Sequence, residues 1–90
     1  MVRPLRWTRR ALGRLDEIAA FIAQDNPSIV AGFVRELREK VDVLRRHQMG
    51  MPGRVYGTRE MVLHKNYVAV YRINNDEVQI LTILHAAQKR

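Results

Sequence analysis

Apolar positions recur every three or four residues through the first half of this chain and gather into short β-branched and aromatic runs in its last third. The first pattern predicts helices and the second predicts strands. The last third carries the stronger signal. Residues 66–73 are rich in β-branched and aromatic side chains: Tyr67, Val68, Val70, Tyr71 and Ile73. They run into Asn74-Asn75-Asp76, residue types that favour turns and tolerate left-handed backbone, and a second β-favouring run follows from Glu77 to His85. Two such runs around a short Asn/Asp connection predict a β-hairpin. The first run is apolar at both parities, which places it inside a sheet covered on both faces.

Upstream, Ala11, Leu15, Ile18 and Ile22 form one helical stripe that Leu12 and Phe21 widen. Thr8 is the candidate N-cap, because its hydroxyl can accept from the free amides of a first turn. Gly13 weakens this helix, and its missing side chain permits a close approach by a neighbour. Asp25-Asn26-Pro27 ends the helix and starts another, with Asn26 able to cap and Pro27 suited to the first helical position. Val30, Phe33, Leu37, Val41 and Leu44 make the cleanest amphipathic pattern in the chain, and Glu36 and Lys40 add an i,i+4 pair. So short a link makes the two helices an antiparallel hairpin.

Residues 2–7 read as an edge strand if they are a strand, since Pro4 lacks an amide hydrogen. Trp7 reads as an anchor for the helical hairpin. Residues 47–57 are irregular, broken by Gly50, Pro52, Gly53 and Gly57. Residues 58–64 alternate well enough for a strand, with Lys65-Asn66 as the turn that follows. The order is β-α-α-β-β-β: an α+β fold with an antiparallel sheet packed by a helical hairpin.

Composition narrows the function. Ninety residues allow one domain with one modest core. Sixteen Lys and Arg against nine Asp and Glu give a net charge of +7, which favours an anionic partner. With no cysteine, disulfides and thiolate metal sites are excluded. No run approaches the ~18 apolar residues of a membrane helix, and residues 1–7 lack a signal-peptide core, so a cytoplasmic protein is expected.

Several features together resemble the RelE/ParE superfamily of toxins from type II toxin–antitoxin modules. They are the N-terminal strand with Trp7, the hairpin with Asp25-Asn26-Pro27 between its helices, Gly53-Arg54 and Gly57-Thr58-Arg59-Glu60. Tyr67, Val70-Tyr71-Arg72-Ile73, Ile80-Leu81 and Ile83-Leu84-His85-Ala86-Ala87-Gln88 follow in the same order. The Gly-Thr-Arg-Glu and Leu-His-Ala-Ala-Gln pieces look more like the ParE branch. The resemblance implies a four-stranded antiparallel sheet backed by two helices, and neutralisation by a small antitoxin whose C-terminal segment wraps the toxin. It also implies one of two targets: DNA gyrase for ParE-type toxins, or ribosome-bound mRNA for RelE-type toxins.

Cleavage of RNA requires an acid/base pair and fixed cations for the phosphorane charge. RelE-type enzymes carry an arginine in the middle strand before an apolar Leu-Val-Tyr run. Aligning Val70-Tyr71 with that run puts Val68 at the arginine position, where it cannot stabilise a phosphate. The C-terminal tyrosine common in such nucleases has no counterpart after His85. His85 is the remaining acid/base candidate, its alternative being a hydrogen bond to backbone near a sheet edge. His47 and His64 lack metal-ligand spacing, so no metal and no cofactor are expected. Tyr67 and Tyr71 read as core-facing rather than base-stacking.

The reading is a single RelE/ParE-like domain over residues 1–90 that inhibits growth by binding DNA gyrase and is neutralised by an acidic antitoxin. Candidate target contacts are Arg54, Arg59, Arg72, His85 and the tail Gln88, Lys89 and Arg90. Candidate antitoxin contacts are Met49, Met51 and Met61, adaptable apolar groups whose alternative is ordinary core filling. Homodimer and antitoxin-bound heterotetramer both stay open. The first alternative is a RelE-like mRNA interferase, an enzyme in which His85, Arg72 and Arg59 would be catalytic. The second is a small basic RNA-binding module without toxicity.

Overall fold

The structure is a computed structural model and describes residues 2–64 and 66–85. Seven elements follow one another: β1 (Leu5–Trp7), α1 (Arg9–Asp25), α2 (Val30–Asp42), β2 (Met51–Pro52), β3 (Arg59–His64), β4 (Tyr67–Asn74) and β5 (Glu77–His85). Short 3-10 turns precede and follow α2, at Pro27–Ile29 and Val43–Arg45. The five strands form one sheet in the order β1-β5-β4-β3-β2.

The hairpin forms as its residues predict. β4 and β5 are joined by Asn75 and Asp76, both at positive φ (52° and 62°), the conformation a two-residue type I′ connection requires. The β4/β5 ladder runs from Asn74↔Glu77 to Tyr67↔His85, with a bulge that leaves Leu81 between Tyr71↔Ile80 and Val70↔Thr82. β3 pairs antiparallel with β4 and the two-residue β2 with β3, whereas β1 runs parallel to β5. The sheet is therefore mixed, with a fifth strand in the stretch that reads as irregular.

Thr8 joins helix to sheet. Its side-chain oxygen accepts from the Ala11 amide at 3.2 Å, as the cap expectation requires. Its hydroxyl donates to the Ile80 carbonyl at 2.8 Å, with the Leu81 carbonyl within reach at 3.1 Å. A cap of this kind is worth about 1 kcal/mol, and here it also fixes where α1 leaves the β5 bulge. Asn26, by contrast, makes no side-chain cap, and Pro27 begins a 3-10 turn before α2.

Both helices cover one face of the sheet. Ala11, Leu15 and Ile18 of α1, with Leu37 and Val41 of α2 and Leu44 beyond it, pack on Met61, Leu63, Tyr67, Ala69, Tyr71, Val78, Ile80 and Ile83. Trp7 packs partly buried against this core, and the Arg38 guanidinium lies 5.8 Å from its ring centroid, a cation–π contact that ties β1 to α2. Leu12 and Phe21 stand exposed on the flank of the α1 stripe. Among the described residues nothing lies within 4 Å of a Cβ built at Gly13, so none of them uses it for a close approach. The helices cover only one face: the second parity of β4 faces away from them, with Val68 between Val62 and Leu84 in register, yet Val68 is buried and Val70 half-buried, so only the Arg72 end of that parity is open.

The central strands outrun their short edge partners, and each helix sends a cation to the exposed backbone. Arg14 Nε donates to the Ile83 carbonyl of β5 at 3.0 Å, and Lys40 Nζ to the Leu63 carbonyl of β3 at 2.7 Å. Such side chains blunt an edge that would otherwise template another strand.

Candidate functional site

Register decides which candidate residues can act together. Arg59 is opposite Tyr71, so it projects to the helix-covered face, while Arg72 projects to the other. Arg59 Nη2 donates to the Gly50 carbonyl at 2.8 Å, and the Tyr71 hydroxyl donates to the neighbouring Met49 carbonyl. These two side chains clamp the loop that leads into β2. Arg59 Nε is buried there without a hydrogen-bond partner.

On the open face Arg72 Nε donates to Gln79 Oε1 at 2.8 Å, and Gln79 Nε2 donates to Glu77 Oε1 at 2.9 Å. Arg6 Nε reaches the same carboxylate oxygen at 3.3 Å, which completes a relay across β1, β5 and β4. Gln79 is the one buried polar residue among those described, and both ends of its amide are engaged. Donation from Gln79, then from Arg6, holds the Glu77 carboxyl below the usual glutamate range. Arg54 sits at the start of the loop over this face, its backbone amide 3.3 Å from Glu60 Oε2 and its Nε 3.5 Å from the same oxygen.

His85 lies on the helix-covered face at the far end of the sheet. Its ring meets Tyr67 edge-on at 5.2 Å, in an aromatic group with Phe33 and His64. His64 Nδ1 is buried there without a partner. Tyr67 and Tyr71 are both buried in the core. Among the described residues no group of three His, Cys, Asp or Glu could hold a metal ion, and no helix is long and apolar enough to cross a membrane.

The candidate residues thus separate into Arg59 in a loop clamp, Arg54 and Arg72 on the open face, and His85 in an aromatic group. Gln88, Lys89 and Arg90 lie outside the described residues. Met49 and Met51 are 45% and 72% exposed, but Met61 is buried in the core, so its thioether is not offered to a partner. Its alternation with Leu63, on one parity of β3, was the signal for that placement. The sequence reading missed the Arg6–Glu77–Gln79–Arg72 relay and a cavity beside Arg10, both of which depend on register and on the β5 bulge.

A helical hairpin laid on one face of such a sheet is the architecture of the RelE/ParE toxins. The family model described as the ParE toxin of the type II toxin–antitoxin system, parDE, matches residues 5–90, and the chain belongs to that family. A protein of Sinorhizobium fredii named "Putative toxin Y4kP" is 47% identical over 87 residues, covering 94% of this chain and 90% of its own. Among solved structures, a chain of the chromosomal ParDE TA system from P. aeruginosa superposes with a TM-score of 0.87 at 29% identity, covering 93% of this chain and 96% of that one. The RelBE2 complex of Mycobacterium tuberculosis (TM-score 0.59, 22% identity, 94% and 99% covered) and the E. coli DinJ-YafQ complex (0.64, 10%, 99% and 98%) share the fold alone.

Proposed function

We propose that this toxin arrests growth by binding DNA gyrase, without cutting RNA, and that a small acidic antitoxin neutralises it. The observation that carries the first part is the separation of His85 from the arginines. His85 pairs with Tyr67, five residues from Arg72 along β4, about 16 Å at ~3.3 Å per residue, and on the opposite face. Arg59 shares the His85 face, but its row is four residues away, about 13 Å, and its guanidinium is held by the Gly50 carbonyl. In-line cleavage needs proton transfer and charge stabilisation at a single phosphate, within hydrogen-bond reach of both groups. Val68, where a nuclease of this superfamily would carry a cation, is buried.

Three features support the antitoxin part. The net charge of +7 gains rate and specificity from an acidic partner. The P. aeruginosa structure is of a chromosomal ParDE TA system. Met49 and Met51 remain exposed as adaptable apolar contacts.

The test uses purified protein in two assays, gyrase supercoiling and cleavage of mRNA on translating ribosomes. Loss of supercoiling with intact mRNA is expected. Codon-by-codon cleavage that His85→Ala abolishes would overturn the reading, and unaffected supercoiling at high toxin concentration would remove gyrase as the target.

A further inference from the structure

Between the start of α1, the bulged half of β5 and the 53–58 loop lies a half-enclosed cavity of about 270 Å³. Its floor is apolar, made by Val70, Leu81 and Leu84, while Thr58 and Thr82 line its wall. Arg10 and Arg54 stand on its rim with Glu60. Arg54 is partly neutralised by Glu60 at 3.5 Å. Arg10 is exposed and has no carboxylate nearby on its own helix: the first turn of α1 holds no acidic residue, and positions 13 and 14 are Gly13 and Arg14. The rim therefore carries two positive charges against one negative, over a floor that favours apolar contact.

We infer that this cavity binds an acidic segment of a partner protein, a Glu or Asp carboxylate on Arg10 and Arg54 with an adjacent aliphatic side chain on the Val70–Leu81–Leu84 floor. The arrangement suits a peptide better than a nucleic acid. A nucleic-acid strand brings one charge per nucleotide and calls for an extended track of cations. Here the cations bracket a small cup, and Glu60 on its rim repels a second anion. One carboxylate beside an aliphatic group satisfies both the rim and the floor. This inference deepens the antitoxin reading by naming where an acidic partner engages, and it rests on that reading for the partner's identity.

The experiment titrates isotope-labelled full-length protein with a blocked Glu-Leu-Glu-Leu-Glu peptide and follows backbone amide shifts by NMR. Inorganic phosphate and a short oligouridylate serve as parallel probes. The peptide is expected to shift the amides of Val70, Leu81, Thr82 and Leu84 in a saturable way. Arg10→Ala should weaken binding about tenfold, the loss expected for one charge-assisted contact, and Arg10→Glu should abolish it. Arg9→Ala removes the same charge one residue away and outside the cavity, and should leave affinity within about twofold.

Equal losses in the Arg9 and Arg10 variants would reduce the effect to general electrostatics and overturn the inference. So would peptide shifts centred elsewhere, or stronger shifts of the cavity amides by phosphate or oligouridylate. Supercoiling inhibition without peptide binding would sink this site and leave the gyrase reading standing. Peptide binding without supercoiling inhibition would do the reverse.

Discussion

Arg59 and Arg72 occupy adjacent strands one residue out of register, and so point to opposite faces of the same sheet. In sequence they look like two cations of one site. In the fold one holds a loop and the other belongs to a polar relay on the open face. Replacing them should therefore loosen different parts of the fold. Arg59→Ala removes the bond to the Gly50 carbonyl and should cost about 1–2 kcal/mol, read as a lower urea midpoint. Arg72→Ala deprives the buried Gln79 oxygen of its donor and should cost about 1–3 kcal/mol. An unchanged midpoint in Arg59→Ala would show that the clamp does not hold its loop.

The same loop depends on Gly50. Its φ is +88°, and a Cβ built there would lie 2.2 Å from the Glu60 carbonyl oxygen, a backbone atom that cannot swing away. Gly50→Ala should cost at least about 2 kcal/mol, since positive φ alone costs about 1–2 kcal/mol for an L-residue. Gly13 is the contrasting case, inside α1 with open space around it among the described residues. Gly13→Ala should stabilise the protein by about 0.5–1 kcal/mol. Thermal unfolding of the pair side by side checks both signs.

Much of this fold was legible because its signals are local. Thr8 announces a cap, and Asn75 and Asp76 announce a two-residue turn, from chemistry within a few residues of each. What the sequence hid is long-range. β1 has only three residues, and its parallel partner lies more than seventy positions away, so no periodicity reports the pairing. β2 comprises only Met51 and Pro52, too short for alternation to appear. The division of Arg59 from Arg72, and of His85 from both, follows from register and from the bulge at Leu81. The candidate residues could thus be named from the sequence, but which of them share a face could not.

Glu77 supplies a dependence on pH. Its folded pKa lies below the ordinary value because Gln79 and Arg6 both donate to the carboxylate. A carboxylate of this kind contributes stability above its unfolded pKa, about 4.3, and loses that contribution as pH falls through the lower folded value. Glu77→Gln should flatten the stability profile below about pH 4.3 and leave its shape near neutrality unchanged. Urea midpoints collected from pH 3 to pH 7 test this, and an unchanged acid limb would mean that the relay does not hold the carboxylate in solution.

The aromatic packing of His85 sets the last expectation. Its ring meets Tyr67 edge-on at 5.2 Å, beneath Phe33, which stands 5.9 Å from the same tyrosine. A ring contact of this geometry contributes about 0.5–1.5 kcal/mol beyond area burial. His85→Ala should lose at least that much, whereas His85→Phe keeps a ring on Tyr67 and should recover most of it. A phenyl ring cannot transfer a proton, so the same pair separates packing from acid/base chemistry. If His85 serves only as a packed ring, growth inhibition on expression should follow stability: weakened in His85→Ala and restored in His85→Phe. Restored stability with inhibition still lost would place the imidazole itself at the target, and the distance from His85 to the arginines would then have to close on binding.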